Sequence, residues 1–146
     1  MDLKILEHTP PWEWPQDAGP YFLKILADDQ AGESDRCLAA ELAGDFTVIS
    51  DDIAHALLSI TANPNESEKL RGNSVISLGT ALANADMMGF EDPDDIIISE
   101  KTFTEVQEML HKLFMDTAIP TDVRRRILEA SVRAPQDWHG QKVRTA

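Results

Sequence analysis

Residues 68–83 read EKLRGNSVISLGTALA, and their reading decides the fold. Apolar residues recur along the stretch as a helix would space them, yet Gly72 and Gly79 stand inside it. Glycine in a helix interior costs about 0.5–1 kcal/mol relative to alanine. Close approach is one reason to accept that cost twice, since a neighbouring helix can come nearer to a glycine than to any other residue. The question is whether the rest of the chain supplies such neighbours.

It supplies helices on both sides. DAGPYFLKILADD (17–29) places Tyr21, Phe22, Ile25 and Leu26 on one side of a short helix. SDRCLAAELAG runs from Ser34, an N-cap residue, to Gly44, a terminator. Ser50 opens DDIAHALLSITA with Asp51 and Asp52 in the first turn, where they favour the helix dipole, and Pro64 closes it. Ser99 caps EKTFTEVQEMLHKLFMD, with the stripe Phe103, Val106, Met109, Leu110, Leu113 and Phe114. Thr121 caps DVRRRILEASVR, which Pro135 closes, and Asp137 caps a last segment, WHGQKVRTA. The only β-branched run, DDIIIS at 94–99, is too isolated to build a sheet. The expected class is all-α.

Helix after helix calls for a search for repeats. Three segments align: DRCLAAELAG from Asp35, LRGNSVISLG from Leu70 and VRRRILEASV from Val123, offset by 35 and 53 residues. Each has arginine second, at Arg36, Arg71 and Arg124, and the fifth and sixth positions are Ala39–Ala40, Ser74–Val75 and Ile127–Leu128. The first offset suits one helical hairpin per repeat; the second adds an insertion, supplied by ADMMGFEDPDDIIIS.

LRGNSVISLG resembles the first-helix signature of HEAT repeats, in particular the short bacterial type also seen in phycobilisome-lyase-like proteins. VRRRILEASV matches the start of that signature and DRCLAAELAG its middle and end, with Asp35 in place of an apolar first residue and no terminal glycine in the third copy. The resemblance covers residues 33–146 and implies a right-handed α-solenoid of about three hairpins, at 33–64, 66–118 and 120–146, the last incomplete. Residues 1–32 would be an N-terminal arm and capping helix, the tryptophans of TPPWEWPQDAGPYF covering the first repeat. In such a stack Ala39, Ala40, Gly72, Ser74 and Gly79 permit close contacts between helices.

Composition narrows the function. The chain has 146 residues and a formal net charge of −13. Residues 1–100 carry 20 acidic and 5 basic side chains, a balance of −15, and residues 101–146 carry 6 and 8, a balance of +2. A surface of that sign repels nucleic-acid phosphates and anionic membranes. No apolar run approaches the roughly 20 residues of a membrane span, and the start MDLKILEHTPPWEW does not read as a secretory signal. The single cysteine, Cys37, has no internal disulfide partner, which fits a reducing, cytoplasmic location.

Chemistry-bearing patterns are sparse. Asp51, Asp52 and His55 share a helical face at a spacing that suits half of a metal site, but they read first as an N-terminal capping pair followed by a surface or edge histidine. Glu91, Asp92, Asp94 and Asp95 lack the spacing and glycine of a calcium loop and read as a solvated acidic turn. Arg124, Arg125, Arg126 and Arg133 point in different directions around a helix, so they read as packing and ion-pairing groups before they read as an anion grip. GNSVISLG lacks the lysine and strand context of a phosphate loop, and no nucleophile–base–orienter set stands out. The expected function is therefore non-catalytic and cofactor-free: a scaffold that presents a concave surface to a protein or peptide. By the resemblance that surface comes from helices near 51–62, 100–115 and 138 onward, with His55, Ser59, Thr104, Glu105, Glu108, His111 and Lys112 exposed on it. A tetrapyrrole-handling protein of the lyase-like type is the alternative, and it would need histidines converging on an apolar pocket. Only nine residues follow Asp137, too few for a full second helix with a polar end. The expectation is an N-terminal piece of a longer repeat protein, or an end covered by a partner or a second copy.

Overall fold

A computed structural model of the chain describes residues 1–133. They form seven α-helices, α1 (Leu3–Glu7), α2 (Ala18–Ala27), α3 (Glu33–Ala43), α4 (Asp51–Ala62), α5 (Glu68–Met88), α6 (Glu100–Met115) and α7 (Thr121–Arg133), with short 3-10 turns at Pro11–Glu13 and Pro93–Asp95. No strand occurs among the described residues, so DDIIIS is not one; its Pro93–Asp95 start is a helical turn closed by the Asp92 carboxylate on Asp94 N at 3.0 Å. The expected final segment from Asp137, with Trp138, lies outside the described residues.

Local chemistry sets the boundaries. Ser50, Ser67 and Ser99 each accept from the backbone N–H three residues on, at 3.2, 3.1 and 3.1 Å, satisfying a donor that the first helical turn leaves open. Ser34 does not cap α3; the helix starts a residue earlier, with Gly32 in the cap position. Thr121 likewise lies inside α7, and Arg124 N bonds Pro120 O at 3.0 Å. Asp2 caps α1 through Lys4 N at 2.8 Å, so the arm opens with a helix of five residues whose Leu3 and Leu6 are buried.

The interhelical contacts fall in two rows. In one, α5 packs between α3 and α7; in the other, α4 packs between α2 and α6. Across the rows α2 packs on α3, α4 on α5 and α6 on α7, whereas α3 touches α4 little. Each arginine-bearing helix thus pairs with the helix before it, and α2 is the first member of a pair. α5 meets neighbours nearly all round, which explains why Leu70, Val75, Leu78 and Leu82 are all buried on one helix. Those contacts join α1–α7 through one core containing Phe22, Ile53, Leu57, Leu110 and Ile127.

The arginines join each pair. Arg36, Arg71 and Arg124 each donate their backbone N–H at 3.0 Å to the residue four before them, Gly32, Ser67 and Pro120, and so stand at the same step of α3, α5 and α7. Each guanidinium then reaches back ten residues: to Leu26 O, Thr61 O and Phe114 O, all at 2.9 Å. Those carbonyls lie in the last turns of α2, α4 and α6, where no intrahelical donor remains and positive charge is favoured.

The two glycines of the opening stretch differ. A Cβ at Gly79 would lie 2.8 Å from Ala130 Cβ and 3.1 Å from Ala130 Cα, so α5 and α7 come together there as close as glycine allows. A Cβ at Gly72 would meet nothing nearer than the Arg126 side chain at 3.9 Å. Another close approach involves Gly44, where a Cβ would lie 2.6 Å from Ser77 Cβ. Close approach therefore applies to Gly79 and Gly44 and not to Gly72.

Candidate functional site

The residues expected on a binding face belong to α4 and α6. His55, Ser59, Thr104, Glu108 and Lys112 are exposed, and Glu105 and His111 are half-buried. Two of them meet: His55 Nε2 lies 3.1 Å from Glu105 Oε2, with Lys101 Nζ 4.0 Å from the other carboxylate oxygen. His111 and Lys112 line an open depression of about 240 Å³ with Met115 and Asp116. Of these residues, only His111 and Lys112 line one of the cavities described for residues 1–133.

Asp51 works at the base of the same face. Its carboxylate accepts from Ser99 N at 2.8 Å, tying the start of α6 to the start of α4. Burial pushes this carboxyl up, but the bonds from Ser99 and Thr102 and the nearby His55 hold it below the usual aspartate range. The residue is thus committed to structure, and among the described residues no group of three or more histidine, cysteine or carboxylate side chains could hold a metal.

The larger concavity lies on the other row. A groove of about 510 Å³ runs along α5 between the arm and the end of α3; Pro11 and Trp14 supply one edge, Leu42, Gly44 and Asp45 another, and Lys69, Asn73, Ile76 and Thr80 its floor. It is continued beside α7 by cavities of about 290 and 50 Å³, which share Lys69, Asn73, Ile76 and Arg126 with one another or with it. The floor residues stand at i, i+4, i+7 and i+11, one line on the helix surface. From Lys69 to Thr80 the line is roughly 16 Å long at about 1.5 Å per residue, room for about five residues of extended chain.

The walls are fixed. Trp14 donates its indole N–H to Leu6 O and Thr9 O at 2.9 and 3.0 Å, and its ring stands edge-on to Phe22 at 5.4 Å. Asn73 is held by a bond from its amide to Cys37 O at 3.3 Å, and Ser77 Oγ donates to Ala40 O. On the α7 side Arg125 pairs with Asp122 at 3.3 Å and Arg126 with Glu129 at 3.9 Å, while Arg124 is taken by Phe114 O. Trp14 packs against the core, whereas Trp12 is 79% exposed. No histidine lines these cavities. Cys37 is buried, and burial raises its thiol pKa, the behaviour of a packing residue.

Sequence reasoning passed over the groove, although its signal was present: the line Lys69, Asn73, Ile76, Thr80 is the one stripe of α5 that is not closed over. Comparison of the chain with protein-family models, with curated proteins and with solved structures returns no match.

Proposed function

We propose that this chain is a non-catalytic peptide-binding scaffold, a short HEAT-like α-solenoid that holds an extended segment of another protein in the groove along α5. The observation that carries the reading is the groove itself: a concavity with a rigid aromatic wall, a partly apolar floor and polar groups at helical spacing. The repeat reading is supported by the three arginines, which make one bond at one step of three helix pairs. Closer packing in the α3–α5–α7 row, at Gly44 and Gly79, would curve the stack toward that row and make it the concave side. No described helix is long and apolar enough to cross a membrane, and a cytoplasmic setting fits the lone buried thiol.

Selection from a displayed random-peptide library tests this. Binders should hold wild type and a Glu108→Arg variant of the α6 surface equally, and should lose Ile76→Arg, which fills the groove. Binders that lose Glu108→Arg and keep Ile76→Arg would assign the function to the α4–α6 face, and an empty selection would remove the peptide reading.

A further inference from the structure

We infer that the peptide taken by the α5 groove is basic: a lysine or arginine seated between Glu7 and Glu41, with a neighbouring apolar side chain against Trp14 and Leu42. This rests on the reading of the groove as a peptide surface and specifies its ligand. The joined cavities are lined by six carboxylates and three cations. The imbalance is not evenly spread. On the α7 wall Arg125 and Arg126 are matched by Asp122 and Glu129. On the α3 edge Asp45 is occupied, since one carboxylate oxygen accepts from Thr47 N at 2.9 Å and Thr47 Oγ1 at 2.7 Å. Glu41 makes no ion pair among the described residues, and Glu7 has only His8 at 3.8 Å. Two carboxylates therefore face one cavity whose lining holds a single cation, Lys69 on the floor, which makes no ion pair among the described residues.

The apolar half of the specificity comes from the arm edge of the groove. Trp14 is locked by two hydrogen bonds and cannot turn away. Trp12 and Phe46, next in sequence to the lining residues Pro11 and Asp45, are 79% and 59% exposed, so large apolar rings on these segments are open to solvent. A cation between carboxylates next to an aromatic surface is a favourable combination, because the stem packs while the head group is charge-paired. The balance of −15 over residues 1–100 steers such a ligand to this end of the molecule.

The test is fluorescence anisotropy with the full chain and labelled short peptides of one length: one alternating lysine and arginine with leucine, one with glutamate in the basic positions, one with glutamine. The basic peptide should bind, and Glu41→Lys should weaken it by about tenfold. Glu108→Lys, the same charge change on α6, should weaken it less than about twofold. Equal weakening by both would mean diffuse attraction to an acidic protein and overturn the inference. Preference for the acidic or neutral peptide, lost in Ile76→Arg, would overturn the basic class and keep the groove. Binding of none of the three by chain that circular dichroism shows folded would overturn this inference, with the library selection deciding whether the groove reading falls too.

Discussion

At the scale of single residues, Arg36 and Arg71 hold the same place with different company. Arg36 bonds both oxygens of Glu66, at 2.9 and 2.7 Å, besides Leu26 O. Glu66 stands one residue before the cap of α5; the corresponding residue before α7 is Ile119. Among the described residues Arg71 accordingly has no carboxylate, and its buried Nη2 has no hydrogen-bond partner there. Removing one member of a buried ion pair leaves the other charged and poorly solvated. Arg36→Met should therefore cost about 3 kcal/mol, and Arg71→Met, which orphans only Thr61 O, about 1–2 kcal/mol. Urea unfolding of the two variants checks the order. Asp51 gives a pH signature: its carboxyl is held below its ordinary value in the fold. A depressed carboxyl stabilises at pH above its unfolded value of about 4 and loses that contribution as pH falls through the folded value. Stability should thus decline below about pH 4, and less steeply in Asp51→Asn. A parallel decline in both proteins would deny Asp51 that role.

At the scale of helices, the glycines of α5 separate two meanings that one letter cannot. At Gly79 the neighbour is Ala130, backbone and side chain together, so Gly79→Ala must push α7 away and should cost about 1–3 kcal/mol. At Gly72 only a flexible arginine is near, so Gly72→Ala should stabilise by about 0.5–1 kcal/mol. Thermal melts of the pair, with opposite signs expected, test the packing of α5 on α7. The contrast also marks how much the sequence disclosed. Apolar spacing made α2 to α7 legible because it is local, and the caps Ser50 and Ser99 were readable for the same reason, whereas Ser34 and Thr121 lie inside their helices. α1 was not, since five residues carry too little periodicity and its two buried leucines gain their meaning from the core they join. The pairing of helices was unreadable for the same reason. Arg36, Arg71 and Arg124 could be aligned by eye, but only their reach of ten residues backward shows which helix each one holds. The α5 stripe was written in the quoted stretch, yet a polar line becomes a groove only when α3, α7 and the arm rise beside it.

At the scale of the molecule, charge and shape point the same way. An acidic chain gains little from counterion release, so duplex DNA should not bind measurably at physiological salt, which an electrophoretic or anisotropy titration would show. A groove of about 510 Å³ lies on the α3–α5–α7 row, and on the α4–α6 face, from His55 to Lys112, His55 and Glu105 make an exposed hydrogen-bonded contact worth under about 1 kcal/mol. The two faces belong to different helices, α5 in one row and α4 with α6 in the other, so one spectrum distinguishes them residue by residue. The most direct measurement is an amide chemical-shift titration of the isotope-labelled chain with the basic leucine peptide. The account predicts that Lys69, Asn73, Ile76 and Thr80 shift in a saturable way while Ser59, Thr104 and Glu108 stay still. Saturable shifts confined to Ser59, Thr104 and Glu108 would contradict it.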